Sequence, residues 1–185
     1  MENKFDNLQD IIDSKILNER KVFLWGQVSD NSAKHVIDRL IYLELLQPGK
    51  EIQLIINSPG GYVTSGFAIY DTMKSITSPV STICCGLAAS MGSILLSAGE
   101  KGRRFVLPHA RVMIHQPSGG AGGPASDIEI QMDELLKTKK LGAEILANNC
   151  GKPFEQIIKD FNRDHWMSAD ESVEYGIVDD KLDKI

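Results

Sequence analysis

Apolar and polar positions along the chain switch between two rhythms, a short β-like run and a longer helical period. Val22-Phe23-Leu24-Trp25 is a compact apolar run ended by Gly26, which predicts a strand. Either Asp30 or Ser32 can cap the helix that follows, where Val36, Ile37, Leu40, Ile41, Leu43 and Leu46 recur until Pro48-Gly49 stops it. Ile52 to Ile56 predicts a second strand, closed by a tight turn at Asn57-Ser58-Pro59-Gly60-Gly61. Thr64 or Ser65 then opens a helix bearing Phe67, Ile69, Tyr70 and Met73. Between Lys74 and Glu100 lie 25 residues without an ionisable Asp, Glu, Lys, Arg or His. Val80 to Cys85 reads there as a buried strand that Gly86 breaks, and Met91 to Ala98 as a helix ending at Gly99.

Beyond that stretch, Arg104–Leu107 and Arg111–Ile114 read as short strands around Pro108, the second ending at His115. Ser118 to Gly123 holds four glycines in six residues, a loop or an edge strand. Asp127 to Asn149 is a long amphipathic helix with Ile128, Met132, Leu135, Leu136 and Ile145 on its apolar positions. Pro153 opens another helix at its first turn. Ser168 to Glu171 forms a capping box, and Gly176 ends that helix before Ile177-Val178. Residues 1–20 read as a polar arm or frayed helix, and 21–185 as one domain. Strands alternating with helices predict an α/β fold.

Composition narrows the function classes. At 185 residues, 42% hydrophobic and 24% charged, the chain has the make-up of one globular domain. A net charge of −5 gives no electrostatic case for nucleic acid or an anionic membrane surface. The 25-residue uncharged stretch is no membrane span, because Pro79, three glycines and several Ser and Thr residues interrupt it. The start MENKFDNLQD lacks an apolar targeting segment. Three cysteines, Cys84, Cys85 and Cys150, fit reduced thiols and a cytoplasmic location. No Cys or His pair has zinc-finger spacing, so neither metal nor other cofactor is expected.

The candidate chemistry centres on Ser90. Gly86-Leu87-Ala88-Ala89-Ser90 reads as a strand-to-helix corner of small residues with a hydroxyl at its apex. A serine there is either an ordinary N-cap or a nucleophile beside unpaired N–H groups that favour an oxyanion. A nucleophilic serine needs a base. Among His35, His109, His115 and His165, His115 is the one at a strand terminus, with its backbone pinned by Gln116-Pro117. Gly60-Gly61 offers N–H groups without side chains.

At these residues the chain resembles the proteolytic subunits of the Clp protease family. The matching segments are Ile56-Asn-Ser-Pro-Gly-Gly61, Ile69-Tyr-Asp-Thr-Met73, Ser81-Thr-Ile-Cys84, Ala88-Ala-Ser-Met-Gly92, Arg111-Val-Met-Ile-His-Gln-Pro117, Asp127-Ile-Glu-Ile130, Arg163-Asp164 and Val173-Glu-Tyr-Gly-Ile-Val-Asp179. They fall in the family's order and cover nearly everything from Val22 onward. The resemblance implies a crotonase-like ββα spiral with a protruding handle, about residues 118–150. It implies a catalytic triad of Ser90, His115 and Asp164, and an oxyanion hole from the N–H groups of Gly61 and Met91. Substrate would run along Gly60, Pro117, Ser118, Gly119, Gly120 and Ala121. The implied partners are further copies of the chain in heptameric rings stacked as a tetradecamer, alone or mixed with a paralogous subunit. An AAA+ unfoldase of the ClpX, ClpA or ClpC type would feed in unfolded polypeptide, and ATP would be used by that unfoldase and not by this chain.

Some positions depart from the family pattern. The arm before Ile11 lacks the usual longer apolar terminus. Gln53 and Ile55 stand where relatives often carry aromatic residues for unfoldase docking. Pro124 and Asn162 replace a glutamine and an acid that link ring contact to the active site in some relatives. The expected activity is serine endopeptidase. The alternatives are a mainly structural subunit of a mixed ring, or an acyl-CoA enzyme on the same fold, whose chemistry typically uses acidic residues instead of a Ser–His pair.

Overall fold

The structure, a computed structural model, describes residues 8–184. The acidic start, residues 1–7, and Ile185 lie outside the described residues.

The elements follow the predicted alternation. They are α1 (Leu8–Asn18), β1 (Lys21–Trp25), α2 (Asp30–Leu46), β2 (Ile52–Ser58), α3 (Val63–Ser75), β3 (Val80–Ala89) and α4 (Met91–Ser97). Then come β4 (Arg104–Val106), β5 (Arg111–Ile114), α5 (Ala125–Cys150), α6 (Phe154–Asp160), β6 (His165–Met167), α7 (Ala169–Tyr175) and β7 (Asp180–Lys181). One sheet runs β1-β2-β3-β4-β7, all parallel, while β5 pairs with β3 in parallel and with β6 antiparallel. Central parallel strands are covered on both faces, so β2 and β3 read as near-continuous apolar runs. Helix α2 packs on β1 and α3, α3 on α4, α4 on α5, and α5 on α6. Leu24, Leu40, Leu43, Ile52, Leu54, Ile56, Ile69, Leu95, Leu96 and Ile114 fill the core.

The predicted helix starts shift slightly. The cap of α2 is Ser29, and Ser32 is its reciprocal partner in a capping box. Helix α3 begins at Val63, ahead of both Thr64 and Ser65, and Ser65 Oγ instead donates to Asp30 Oδ1 at 2.5 Å. Pro153 sits one position before α6. The Ser168–Glu171 capping box and the left-handed Gly176 cap of α7 are as predicted.

The larger difference lies at Gly86. It does not end β3. The strand bends there, with φ at +90°, and a Cβ on Gly86 would meet Asn57 Oδ1 at 3.0 Å. Asn57 Oδ1 accepts the Leu87 N–H at 3.2 Å. The register against β2 slips across this point, from Ile56↔Cys84 to Ser58↔Ala88. The bend lets β3 change neighbours: Thr82–Cys84 pair with β4, and Leu87–Ala89 pair with β5. A single strand thus serves two sheet directions, and its second half ends at Ser90.

Candidate active site

Ser90 holds φ 53° and ψ −123° between β3 and α4, one of two non-glycine residues with positive φ among the described residues. That region is strained for an L residue and persists only where surrounding contacts enforce it. Several contacts do. The Ser90 N–H donates to Met113 O of β5 at 2.9 Å, and the Ser90 carbonyl accepts from Ser93 Oγ at 2.6 Å. The side chain of Ser90 makes no capping bond to α4, so the N-cap reading of this serine fails on geometry.

Glycines let neighbouring segments close on the corner. A Cβ on Gly60 would lie 2.6 Å from Ser90 Cβ and 2.8 Å from Ala89 O. One on Gly66 of α3 would meet Met91 Cγ at 2.1 Å, so that methionine is seated on a helix with no side chain in its way. Gly60 N–H donates to Ser58 Oγ at 3.1 Å and its carbonyl accepts from Val28 N–H at 2.8 Å. Both main-chain groups of Gly60 are therefore bonded within the chain, and what it contributes is close approach. The N–H groups of Gly61 and Met91 carry no hydrogen bond among the described residues. Two such donors beside a serine hydroxyl are what an oxyanion requires.

The sheet brings the other two candidates to this corner. β3 and β5 lie side by side, so Ser90 and His115 follow directly on adjacent strand ends. β6 runs antiparallel to β5 with Ile114 opposite His165. The next step of that register sets His115 opposite Asp164. Nδ1 of His115 lies 3.0 Å from Asp164 Oδ1, and among the described residues Nε2 has no hydrogen-bond partner. His115 is 27% exposed and Asp164 59%. A second staple holds this end: Gln116 N–H donates to Phe161 O at 2.5 Å, and Gln116 Nε2 to Asn162 O at 2.8 Å. Asn162 is thus fastened to the residue that follows His115.

Ser90 and His115 line one small cavity of about 20 Å³, shared with Val63, Phe67, Met91, Ile94, Pro117, Thr138, Gly142 and Phe161. No hydrogen bond joins Ser90 to His115 among the described residues. A wider groove of about 260 Å³ continues from it along Pro117, Ser118, Gly119, Gly120 and Ala121 against Met132 and Leu135 of α5. Residues 118–123 form no strand within the chain, so of the two readings for this segment the loop is the one seen. Its tie to α5 is Gln131, whose amide bonds both the N–H and the carbonyl of Gly122.

The arrangement suits acyl transfer: a half-buried hydroxyl on a strained corner, an imidazole oriented by a carboxylate, and two N–H donors that no described residue occupies. Neither Cys84 nor Cys150 is a rival nucleophile. Burial pushes the thiols of Cys84 and Cys150 up to about 12, so both stay protonated. A family model described as Clp protease matches residues 4–184. The chain belongs to the Clp protease family. It is a peptidase of that family and has its α/β fold. The match begins at residue 4 and so includes most of the N-terminal arm. No helix among the described residues is long and apolar enough to cross a membrane.

The pocket walls Val63, Phe67, Thr138, Gly142 and Phe161 escaped the sequence reading as site residues. Val63, Phe67 and Phe161 sit in ordinary apolar helix patterns, and nothing local separates a pocket wall from a core position.

Proposed function

We propose that this Clp-family chain is a serine endopeptidase in which Ser90 is the nucleophile. The observation that carries the reading is the strained, uncapped Ser90 corner lying beside the His115–Asp164 pair. In this reading His115 Nε2 takes the Ser90 proton as the hydroxyl attacks the peptide carbonyl. The imidazolium formed is stabilised by Asp164 and then protonates the leaving amine. The N–H groups of Gly61 and Met91 receive the oxyanion. Water repeats the cycle on the acyl-enzyme. Substrate lies as an added strand along residues 117–121, held through main-chain bonds with little side-chain selection. No metal or cofactor takes part. The chain acts in stacked heptameric rings in the cytoplasm, alone or mixed with a paralogous subunit, and an ATP-driven unfoldase supplies unfolded polypeptide.

The open Ser90–His115 pair in the lone chain fits a site that tightens on assembly or substrate binding. One sample tests the reading: native mass, turnover of a fluorogenic peptide, and labelling by a fluorophosphonate. Ser90→Ala should abolish labelling and lower turnover on the order of 10⁶-fold while leaving the native mass unchanged. Cleavage retained by Ser90→Ala would refute the assignment. A wild-type ring that neither labels nor cleaves would favour the structural-subunit reading.

A further inference from the structure

The sheet stops one step short of the His115–Asp164 pair. The last rung between β5 and β6 joins Ile114 to His165, so both members of the pair stand beyond the ladder. Asp164 is 59% exposed, and packing alone does not fix it. Among the described residues its carboxylate has no hydrogen-bond partner other than His115. The orientation of the pair therefore depends on what closes the far side.

Gln116 closes it. Its N–H donates to Phe161 O at 2.5 Å, and its side-chain Nε2 donates to Asn162 O at 2.8 Å, with Asn162 Oδ1 3.5 Å from the same nitrogen. Phe161 is a firm anchor, since it caps the end of α6 and is buried. Asn162 and Arg163 are exposed, and the bond from Asn162 N–H to Lys159 O is long at 3.4 Å. The rung at Ile114 and the Gln116 amide thus bound a small ring, with His115 on one side and Arg163 and Asp164 on the other. Two residues facing one leave slack, as in a β-bulge, and here the slack falls on Asp164. The amide bond to Asn162 O takes it up. A catalytic pair has to be held to a fraction of an ångström by such supporting bonds. Gln116 lines neither the cavity at Ser90 nor the groove along residues 117–121, so its side chain is not placed to touch substrate.

We propose that Gln116 is a positioning residue: by holding the carbonyl of Asn162, its side-chain amide keeps the Asp164 carboxylate on Nδ1 of His115. The inference rests on the reading of Ser90, His115 and Asp164 as the catalytic set.

The test uses the assembled full-length protein, a fluorogenic peptide and a fluorophosphonate. Gln116→Met keeps the length of the side chain and removes the donor. It should lower kcat about 10-fold and leave KM within about two-fold of wild type, because a small misplacement costs rate while the substrate contacts stay intact. The rate of fluorophosphonate labelling should fall with kcat, and native mass and thermal midpoint should match wild type. A purely structural role would not pass the next step, a cycle with Asp164→Asn. On that background Gln116→Met should change kcat by less than about two-fold, since the group it positions is already lost. Gln116→Glu, which keeps the shape and turns an oxygen toward the Asn162 carbonyl, should behave in the same way and decides the matter should Gln116→Met fail to assemble. An unchanged kcat, a loss that appears in KM instead, or a loss that persists in full on Asp164→Asn overturns the proposal. A wild type that neither labels nor cleaves overturns it together with the nucleophile assignment, whereas a fully labelled wild type beside an indifferent Gln116→Met overturns the positioning role alone.

Discussion

At the scale of the residue, Asp164 shows most clearly what a sequence carries and what it withholds. Nothing in its neighbourhood, Asn162-Arg163-Asp164-His165, separates it from the other acids, and only the family resemblance selected it. The β5–β6 register gives the physical reason: with Ile114 opposite His165, the flanking His115 and Asp164 must face each other. Pairing across 49 positions is a tertiary fact. Ser90 was legible as a serine on a corner. Its positive φ and the absence of a capping bond were not, because both depend on Met113 and Ser93 holding the turn. In the proposed mechanism Asp164→Asn should lower kcat roughly 10⁴-fold, because the imidazole would lose both its orientation and its counter-charge. Added to Ser90→Ala, His115→Ala or Asp164→Asn should have almost no further effect, since members of such a set act as a unit. Stopped-flow or fluorogenic turnover of the singles and doubles checks this. Additive losses would mean that the residues act separately.

Among the elements, helices were read well because capping boxes, periodic apolar residues and terminal glycines are local signals; Ser168–Glu171 and Gly176 behave as expected. Strands were read less well. β6 and β7 have three and two residues and exist through their partners, β5 and β4. Gly86 looked like a strand end because glycine usually is one, whereas here it is the bend at which β3 trades β4 for β5. A hidden joint between elements is Glu44 of α2. Its carboxylate accepts from Thr77 Oγ1 at 2.5 Å and from the N–H groups of Thr77 and Ser78, fixing the loop ahead of β3. Those bonds, led by Ser78 and Thr77, pull its pKa from 4.5 down to about 2. A pKa depressed on folding means stabilisation that is complete above the unfolded value and is lost as pH falls toward the folded one. Glu44 should therefore add stability at neutral pH that fades between about pH 4.5 and pH 2. Glu44→Gln should lower the thermal midpoint at pH 7, with the gap to wild type narrowing across that window. A gap constant with pH would show that the carboxylate's charge does not matter to the loop.

For the molecule as a whole, exposed apolar side chains gather on two helices, α2 and α5. Ile41, Tyr42, Leu45 and Leu46 lie open along one end of α2, and Ile128, Ile130, Met132, Leu136 and Leu141 along α5. Leu45 is 77% exposed and Ile130 62%, each among further open apolar residues of the same helix, and such clustering marks interaction surfaces. In the proposed rings, the α2 set would meet neighbours within a ring and the α5 set would meet the opposite ring. The loop at residues 118–123 links His115 to α5 and is tied to it through Gln131 and Gly122. Stacking would give that loop a strand partner, so site and assembly would share one segment. Pro124 bears on this, since it stands where the loop enters α5, removes an N–H and restricts Gly123. The expected behaviour of the chain alone is heptamers or tetradecamers with low basal turnover. Ile130→Asp combined with Leu136→Asp should shift sedimentation from double to single rings and lower peptide turnover at least about 10-fold, because charge buried at an interface without a partner is strongly unfavourable. Pro124→Gln should move the balance toward active double rings. Circular dichroism should match wild type in both, as these side chains lie outside the core. Double rings that persist at full activity in the aspartate variant would show that α5 does not join the rings, and an unchanged Pro124→Gln would release the proline alone from its part.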